Sequence, residues 1–295
     1  MATEKELKLA ISTVSEASDS ADVASKASAE AAQLASITTF FATHSAQPGH
    51  TFLLGNVYFD TPDLDLARDK VALRLRRTPY GWLQTLKTAG QAKDGLHARG
   101  EWELPVDGEA LDLPALLAMC DDTEAVRSLT EHAPRLASVF RTDFERTTWD
   151  LTIDDSHIEA ALDVGKVHLG EDIAASAQNQ DSMASDLVEV PIREIELELK
   201  TGDESALWQL ARILQAAVPG LKPDDVSKAA RGYRLVRAAA GNVSNAAANA
   251  HAAKTAHDAT GATNANDANT AHDTSNGNGN GNGSILPESG KDSAV

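Results

Sequence analysis

The stretch Glu4-Lys5-Glu6-Leu7-Lys8 begins a strand whose two faces differ in chemistry. Side chains alternate between the faces of an extended strand, so Glu4, Glu6 and Lys8 share one face and Lys5 and Leu7 share the other. A single strand of this kind is usually a half-exposed sheet strand. The pattern gains meaning because it recurs along the chain.

The same alternation is present in segments 71–77, 82–87, 97–106, 137–153, 157–164 and 188–200. Helical segments that could cover the apolar faces are predicted over residues 12–47 and 109–134, after Asp203, and from Pro223 onward. We therefore expect an α+β fold, with a closed antiparallel β-barrel around a charged lumen. The predicted lumen residues are Glu4, Glu6, Lys8, Arg74, Arg76, Lys87, Arg99, Glu101, Glu103, Arg146, Glu159, Asp163, Glu194, Glu196 and Glu198.

Residues 1–237 are predicted to form one domain, and residues 238–295 a disordered tail. The tail contains no aromatic residue and includes a bare Asn-Gly repeat, so it offers too little apolar surface to offset its ordering entropy. Segments 88–96 and 169–187 are predicted to be loops. Lys228 and Arg231 share a face of the last predicted helix, and their spacing alone favours a solvated face.

Composition excludes several classes of protein. The net charge of −18 argues against a general binder of nucleic acid or of acidic membranes. The single cysteine, Cys120, excludes an internal disulfide. We see no apolar segment typical of a signal peptide and no run of about 18 apolar residues, so we expect a cytoplasmic location and no membrane or nucleic-acid partner. The oligomeric state stays open.

The mixed charges of the predicted lumen suit one class of substrate. Arginine and lysine bind phosphate oxygens through charge-assisted hydrogen bonds, and clustered carboxylates bind hard divalent cations such as Mg²⁺ or Mn²⁺. A small polyphosphate bridged by such a cation satisfies both sets. A network of buried ion pairs without a ligand is the alternative, but it ranks lower because desolvating ions often costs more than their attraction returns.

Nine short motifs, in this order along residues 1–237, make the chain resemble the CYTH superfamily of triphosphate tunnel metalloenzymes, and within it the bacterial inorganic triphosphatases. The motifs are Glu4-x-Glu6-x-Lys8, Tyr58-Phe59-Asp60-Thr61-Pro62-Asp63, Leu73-Arg74-Leu75-Arg76, Thr85-Leu86-Lys87, Gly95-Leu96-His97-x-Arg99-x-Glu101-Trp102-Glu103, Thr142-Asp143-Phe144-x-Arg146-x-x-Trp149, Ala161-Leu162-Asp163-x-Gly165, Glu194-Ile195-Glu196-Leu197-Glu198 and Ser227-Lys228-Ala229-Ala230-Arg231-Gly232-Tyr233. The resemblance implies a tunnel of eight antiparallel strands.

The resemblance also implies roles for individual residues. The metal ions, Mg²⁺ or Mn²⁺, would be served by Glu4, Glu6, Asp163, Glu194 and Glu196, with Glu159 and Glu198 added as carboxylates of the same faces. The triphosphate would be held by Lys8, Arg74, Arg76, Lys87, Arg146, Lys228 and Arg231, with Arg99 added from the lumen. Lys8 or Lys87 could protonate the leaving oxygen, and the sequence does not choose between them.

The implied activity is metal-dependent hydrolysis of inorganic triphosphate to pyrophosphate and phosphate. An adenylyl cyclase, or a thiamine or nucleoside triphosphatase, of the same superfamily would use the same tunnel. A polyphosphate-binding module without activity would keep the basic residues but could dispense with the carboxylates. Because the carboxylates are present, we favour the enzyme.

Overall fold

The computed structural model describes residues 3–11, 23–88, 90–170 and 189–241. Within them, the strands are β1 (Thr3–Ile11), β2 (His50–Asp60), β3 (Val71–Thr78), β4 (Gly81–Thr88), β5 (Gln91–Lys93), β6 (Leu96–Val106), β7 (Ala137–Ile153), β8 (Ser156–Leu169), β9 (Glu189–Thr201) and β10 (Leu221–Pro223). The helices are α1 (Val23–His44), α2 (Asp65–Arg68), α3 (Leu113–Met119), α4 (Thr123–His132), α5 (Ser205–Ala217) and α6 (228–241), with a 3₁₀ turn at Ala133–Arg135.

Eight long strands close into a barrel. Their order is β1-β9-β8-β7-β2-β3-β4-β6, every pair is antiparallel, and β6 pairs with β1 again to close the circle. The predicted closed antiparallel barrel is therefore confirmed. The short strands β5 and β10 attach to β6 and β1. The prediction of an uninterrupted loop over 88–96 was wrong, because β5 is a three-residue strand too short to show alternation.

Apolar side chains cover the outside of the barrel and meet the helices there. Leu7 and Leu9 of β1, with Ile195 and Leu197 of β9, are fully buried in a cluster with residues of α1 and α5. A second cluster joins β3, β4 and β6 to α2, α3 and α4. Burying these aliphatic faces supplies the main hydrophobic stabilisation and leaves the charged faces to the lumen.

Helix α6 packs on the inward side of the wall at one end of the barrel. Tyr233 meets Phe140 edge to face at 5.1 Å, and Phe140 stacks on Tyr58 at 4.4 Å. Gly232 permits this approach, because a Cβ atom there would collide with the Phe140 ring. The helix begins at residue 228, not at Pro223, which lies in β10. It continues to residue 241, so the domain boundary predicted at 237 falls inside it.

The predicted helical segment 12–47 is helical from Val23, and its first part, residues 12–22, lies outside the described residues. The same is true of most of the predicted loop 169–187 and of the tail beyond residue 241. Among the helices that the structure describes, none has the length and apolarity needed to cross a membrane.

Candidate active site

The lumen is a cavity of about 700 Å³. Eleven lysine and arginine side chains line it against eight carboxylates, so positive charge is concentrated here in a chain whose net charge is −18. Of the predicted lumen residues, only Asp163 and Glu194 do not line the cavity, because they are fully buried behind its surface. The others line it as predicted: Glu4, Glu6, Lys8, Arg74, Arg76, Lys87, Arg99, Glu101, Glu103, Arg146, Glu159, Glu196 and Glu198.

Asp163, Glu194 and Glu196 form an acidic cluster on the adjacent strands β8 and β9. One carboxylate oxygen from each lies within 4.8 Å of the other two. The Nζ atom of Lys228 lies among them, 2.5 Å from Asp163 Oδ2, 2.5 Å from Glu194 Oε1 and 2.9 Å from Glu196 Oε1. Arg146 donates to both Asp163 and Glu196 at 2.5–2.7 Å. The cluster is therefore compensated by cations.

Lys8 and Arg231 complete this ion-pair network. Lys8 Nζ lies 3.2 Å from Glu194 and 3.4 Å from Glu196. Burial opposes its charge, but the two glutamates outweigh that effect and raise the pKa of Lys8. Arg231 pairs with Glu194 and Asp224, each at 2.5 Å. The prediction that Lys228 and Arg231 lie on a solvated helix face was wrong, because α6 places both side chains against the acidic strands β8 and β9.

A second charged group lies where β1, β4 and β6 meet. Lys87 Nζ is 3.0 Å from Glu4 Oε2 and 2.7 Å from Glu101 Oε2. Arg99 donates to Glu4 at 2.9 Å and to Glu6 at 2.8 Å. Burial would raise the pKa of Glu4, but Lys87 and Arg99 hold it far below its usual range, whereas burial raises the pKa of Glu101. All five side chains face the cavity.

Arg76 differs from the other inner cations because it has no counter-ion. Its Nε atom donates to Asn56 Oδ1 at 2.8 Å, and no carboxylate of the described residues pairs with it. Burial, together with the neighbouring charges of Arg74 and Arg146, lowers the pKa of Arg76 to about 10. A partly buried cation beside two others is stabilised by an incoming anion. This part of the wall, which we call the basic wall (Arg74, Arg76 and Arg146), is suited to bind one.

The carboxylates that face the cavity fit a hard divalent cation. Glu4, Glu159 and Glu198 come from three strands, and burial, with the nearby charges of Glu4 and Glu159, raises the pKa of Glu198. Carboxylate oxygens are the donors that Mg²⁺ and Mn²⁺ prefer, and a cation there would relieve this repulsion. Asp163 and Glu194 are less suited to bind the cation, because their carboxylate oxygens already form ion pairs with lysine and arginine side chains.

Several cavity residues were missed by the sequence analysis. Tyr58 and Lys200 lie on the alternating positions of β2 and β9, so the same alternation could have found them. Arg234 and Arg237 follow Arg231 at steps of three, which is a helical-face signal. Lys70 lies just before β3 and carried no pattern of its own.

The chain was compared with known proteins. The model of the CYTH domain matches residues 25–233. An inorganic triphosphatase of Haemophilus influenzae is 36% identical over 182 residues, which cover 62% of this chain and 46% of that protein. The chain thus spans less than half the length of this curated relative.

Solved structures show more distant likenesses. A putative adenylyl cyclase from Hippeastrum, described as having a dominant triphosphatase activity, is 14% identical, with 80% of this chain and 95% of that one covered and a TM-score of 0.47. A putative adenylate cyclase from Bacillus halodurans is 18% identical, with 77% of this chain and 95% of that one covered and a TM-score of 0.41.

The model of the CYTH domain matches most of the barrel domain. The chain therefore belongs to the CYTH domain family.

Proposed function

We propose that this protein hydrolyses inorganic triphosphate to pyrophosphate and phosphate in a reaction that requires a divalent metal ion. The observation that carries the proposal is the guanidinium of Arg76, which has no carboxylate partner among the described residues and faces a cavity that also presents carboxylates. A triphosphate carrying a divalent cation is a ligand that both walls can bind. The inorganic triphosphatase activity of the Haemophilus relative supports the choice of substrate.

The basic wall would hold the phosphate chain. Guanidinium groups bind phosphate oxygens in a forked geometry, and these bonds are stronger at partly buried side chains than in solution. Arg74 is held in place by Thr85, which accepts from its Nε atom at 3.2 Å and donates to Glu103 at 2.8 Å. Positioned cations of this kind stabilise the charge that develops on a transferred phosphoryl group.

The metal ion would be held by carboxylates that face the cavity, drawn from Glu4, Glu6, Glu159, Glu196 and Glu198. When bound, such an ion screens phosphate oxygens and lowers the pKa of a coordinated water. Asp163 and Glu194 would serve mainly by holding Lys228, Lys8 and Arg231 in place, as their ion pairs indicate.

Lys87 is the better candidate for donating a proton to the leaving oxygen. Its ammonium group faces the cavity and lies between Glu4 and Glu101. Lys8 is 1% exposed and lies between Glu194 and Glu196, so its ammonium group is less accessible to a leaving oxygen. Lys8 would instead contribute fixed positive charge beneath the phosphates.

The test is phosphate release by the whole chain from triphosphate, ATP and thiamine triphosphate, each with Mg²⁺ and with chelator. Release from triphosphate that requires Mg²⁺ is the expected result. Release chiefly from ATP or thiamine triphosphate would move the activity to another substrate of the same tunnel. Tight binding of triphosphate without release from any compound would contradict the hydrolase and favour a binding module.

A further inference from the structure

Four cationic side chains that line the cavity have no carboxylate partner among the described residues. They are Lys70, Arg76, Arg234 and Arg237. The other seven lining cations, namely Lys8, Arg74, Lys87, Arg99, Arg146, Lys200 and Lys228, each form an ion pair. Arg76 belongs to the basic wall, which leaves three unpaired cations that the proposed reaction does not use.

These three cations lie at one end of the barrel. Lys70 directly precedes β3, whose first residues pair with the last residues of β2. Arg234 and Arg237 lie on α6, whose Tyr233 contacts Phe140 opposite the end of β2. We call Lys70, Arg234 and Arg237 the mouth cations. All three are exposed to solvent while lining the cavity.

The opposite end of the cavity has a different charge. Glu159 and Glu198 are paired in register near the start of β8 and the end of β9, and Lys200 neutralises them only in part, at 3.2 and 2.9 Å. The cavity therefore runs from an acidic end to a basic mouth, with the basic wall between them. A polyanion is attracted to the mouth and repelled from the acidic end.

Helix α6 extends positive charge from the inner site to the mouth. Arg231, Arg234 and Arg237 are spaced by three residues and lie along one side of the helix. Arg231 is bound to Glu194 at the inner end, whereas the next two have no such partner in the described chain. The guanidinium of Arg237 lies 6.0 Å from the centre of the Tyr233 ring, and that ring is buried against Phe140, so it offers little surface on which a nucleotide base could stack.

We propose that the mouth cations form an outer anion site for linear polyphosphates longer than triphosphate. The inference rests on the proposed function, since the first three phosphates must lie on the basic wall for the fourth to reach the mouth. Each further phosphate adds negative charge next to Lys70, Arg234 and Arg237. The protein therefore binds tetraphosphate and longer chains more tightly than triphosphate.

The test is calorimetric binding of triphosphate, tetraphosphate and a longer linear polyphosphate to the whole chain in the presence of chelator, which prevents metal-dependent turnover. Three exposed contacts of this kind predict that tetraphosphate binds about ten-fold more tightly than triphosphate. In the double variant Arg234→Gln/Arg237→Gln, which keeps Lys70, this ratio falls to about two. The control variant Arg77→Gln/Arg212→Gln removes two exposed arginines that do not line the cavity, and it keeps the ratio.

The outcomes separate this inference from the proposed function. If triphosphate binds neither in chelator nor with Mg²⁺ present, the basic wall is not a phosphate site and the proposed function fails. If triphosphate binds but tetraphosphate binds no more tightly, the outer site is refuted and the inner site stands. An equal loss of the ratio in the control variant would also overturn the inference, because general electrostatic attraction would then explain the preference.

Discussion

Arg76 and Arg77 are neighbours in β3 that point to opposite sides of the barrel wall. Arg76 lines the cavity beside Arg74 and Arg146, whereas Arg77 is exposed on the outside. The two differ in surroundings more than in chemistry. We therefore expect the same substitution to have different effects at these two positions.

Arg76→Gln is expected to leave the ligand-free protein as stable as the wild type or slightly more stable, because it removes an unpaired charge. The variant should bind triphosphate about ten-fold to a hundred-fold more weakly, the usual value of one hydrogen-bonded charge contact. Thermal unfolding with and without triphosphate, in chelator, measures both effects. Arg77→Gln is the matched control and should keep the full ligand-induced shift. Equal shifts in the two variants would remove Arg76 from the site.

Helix α6 packs against the inner wall at one end of the barrel, and its packing depends on a small residue. A Cβ atom on Gly232 would collide with the Phe140 ring, whereas a Cβ atom on Gly241 in the same helix would meet nothing within 4 Å. Gly232→Ala should lower the free energy of unfolding by about 1–3 kcal/mol, as overpacking does. Gly241→Ala should not lower it, since alanine favours a helix. Denaturant unfolding compares them, and a neutral Gly232→Ala would contradict the packing described for α6.

The same helix is tied to β8 and β9 by Lys228. Its side chain is 7% exposed and its ammonium lies among three carboxylates, so Lys228→Met should cost about 3 kcal/mol by leaving buried negative charge in excess. Lys166 pairs with Glu189 on the exposed outside, and Lys166→Met should cost less than about 1 kcal/mol. Urea unfolding of both variants measures the difference. Equal costs would mean that the buried network does not hold α6 in place.

The strands were predicted correctly from the sequence where charged and apolar residues alternate over a long segment. The charged faces of β1, β3, β6 and β9 indicated both the barrel and most of its lumen, because period-2 patterning is set by the strand itself. Prediction failed where an element is short, or where a charged side chain pairs with a residue that is distant in the sequence. Nothing local in the sequence shows that Lys228 meets Asp163, and Asp224, predicted to lie near a helix start, instead pairs with Arg231.

At the scale of the whole molecule, lysine and arginine side chains keep several buried carboxylates of the barrel ionised. Burial opposes this, but Lys228, Lys8, Lys87, Arg99 and Arg146 lower the pKa values of Glu4, Glu194 and Glu196. A lowered folded pKa gives stability that is present above the ordinary glutamate value and is lost as the pH falls toward the folded one. Burial raises the pKa values of Glu101 and Glu198. These two carboxylates therefore lower the free energy of unfolding as the pH rises from the ordinary glutamate value toward their raised folded values.

The free energy of unfolding should therefore decline steeply below pH of about 4.5. Urea unfolding between about pH 3 and pH 7 measures it. A flat profile across the acid range would show that these carboxylates are not held ionised by the fold.

The proposed reaction, hydrolysis of triphosphate at the basic wall, can be tested on the whole chain. The most direct measurement is the initial rate of phosphate release from inorganic triphosphate by the whole chain with Mg²⁺, in the wild type, Arg76→Gln and Arg77→Gln. We expect release by the wild type and Arg77→Gln, abolished by chelator, and a loss of about a hundred-fold in kcat/KM for Arg76→Gln. No release by the wild type, or equal rates in all three proteins, would contradict it.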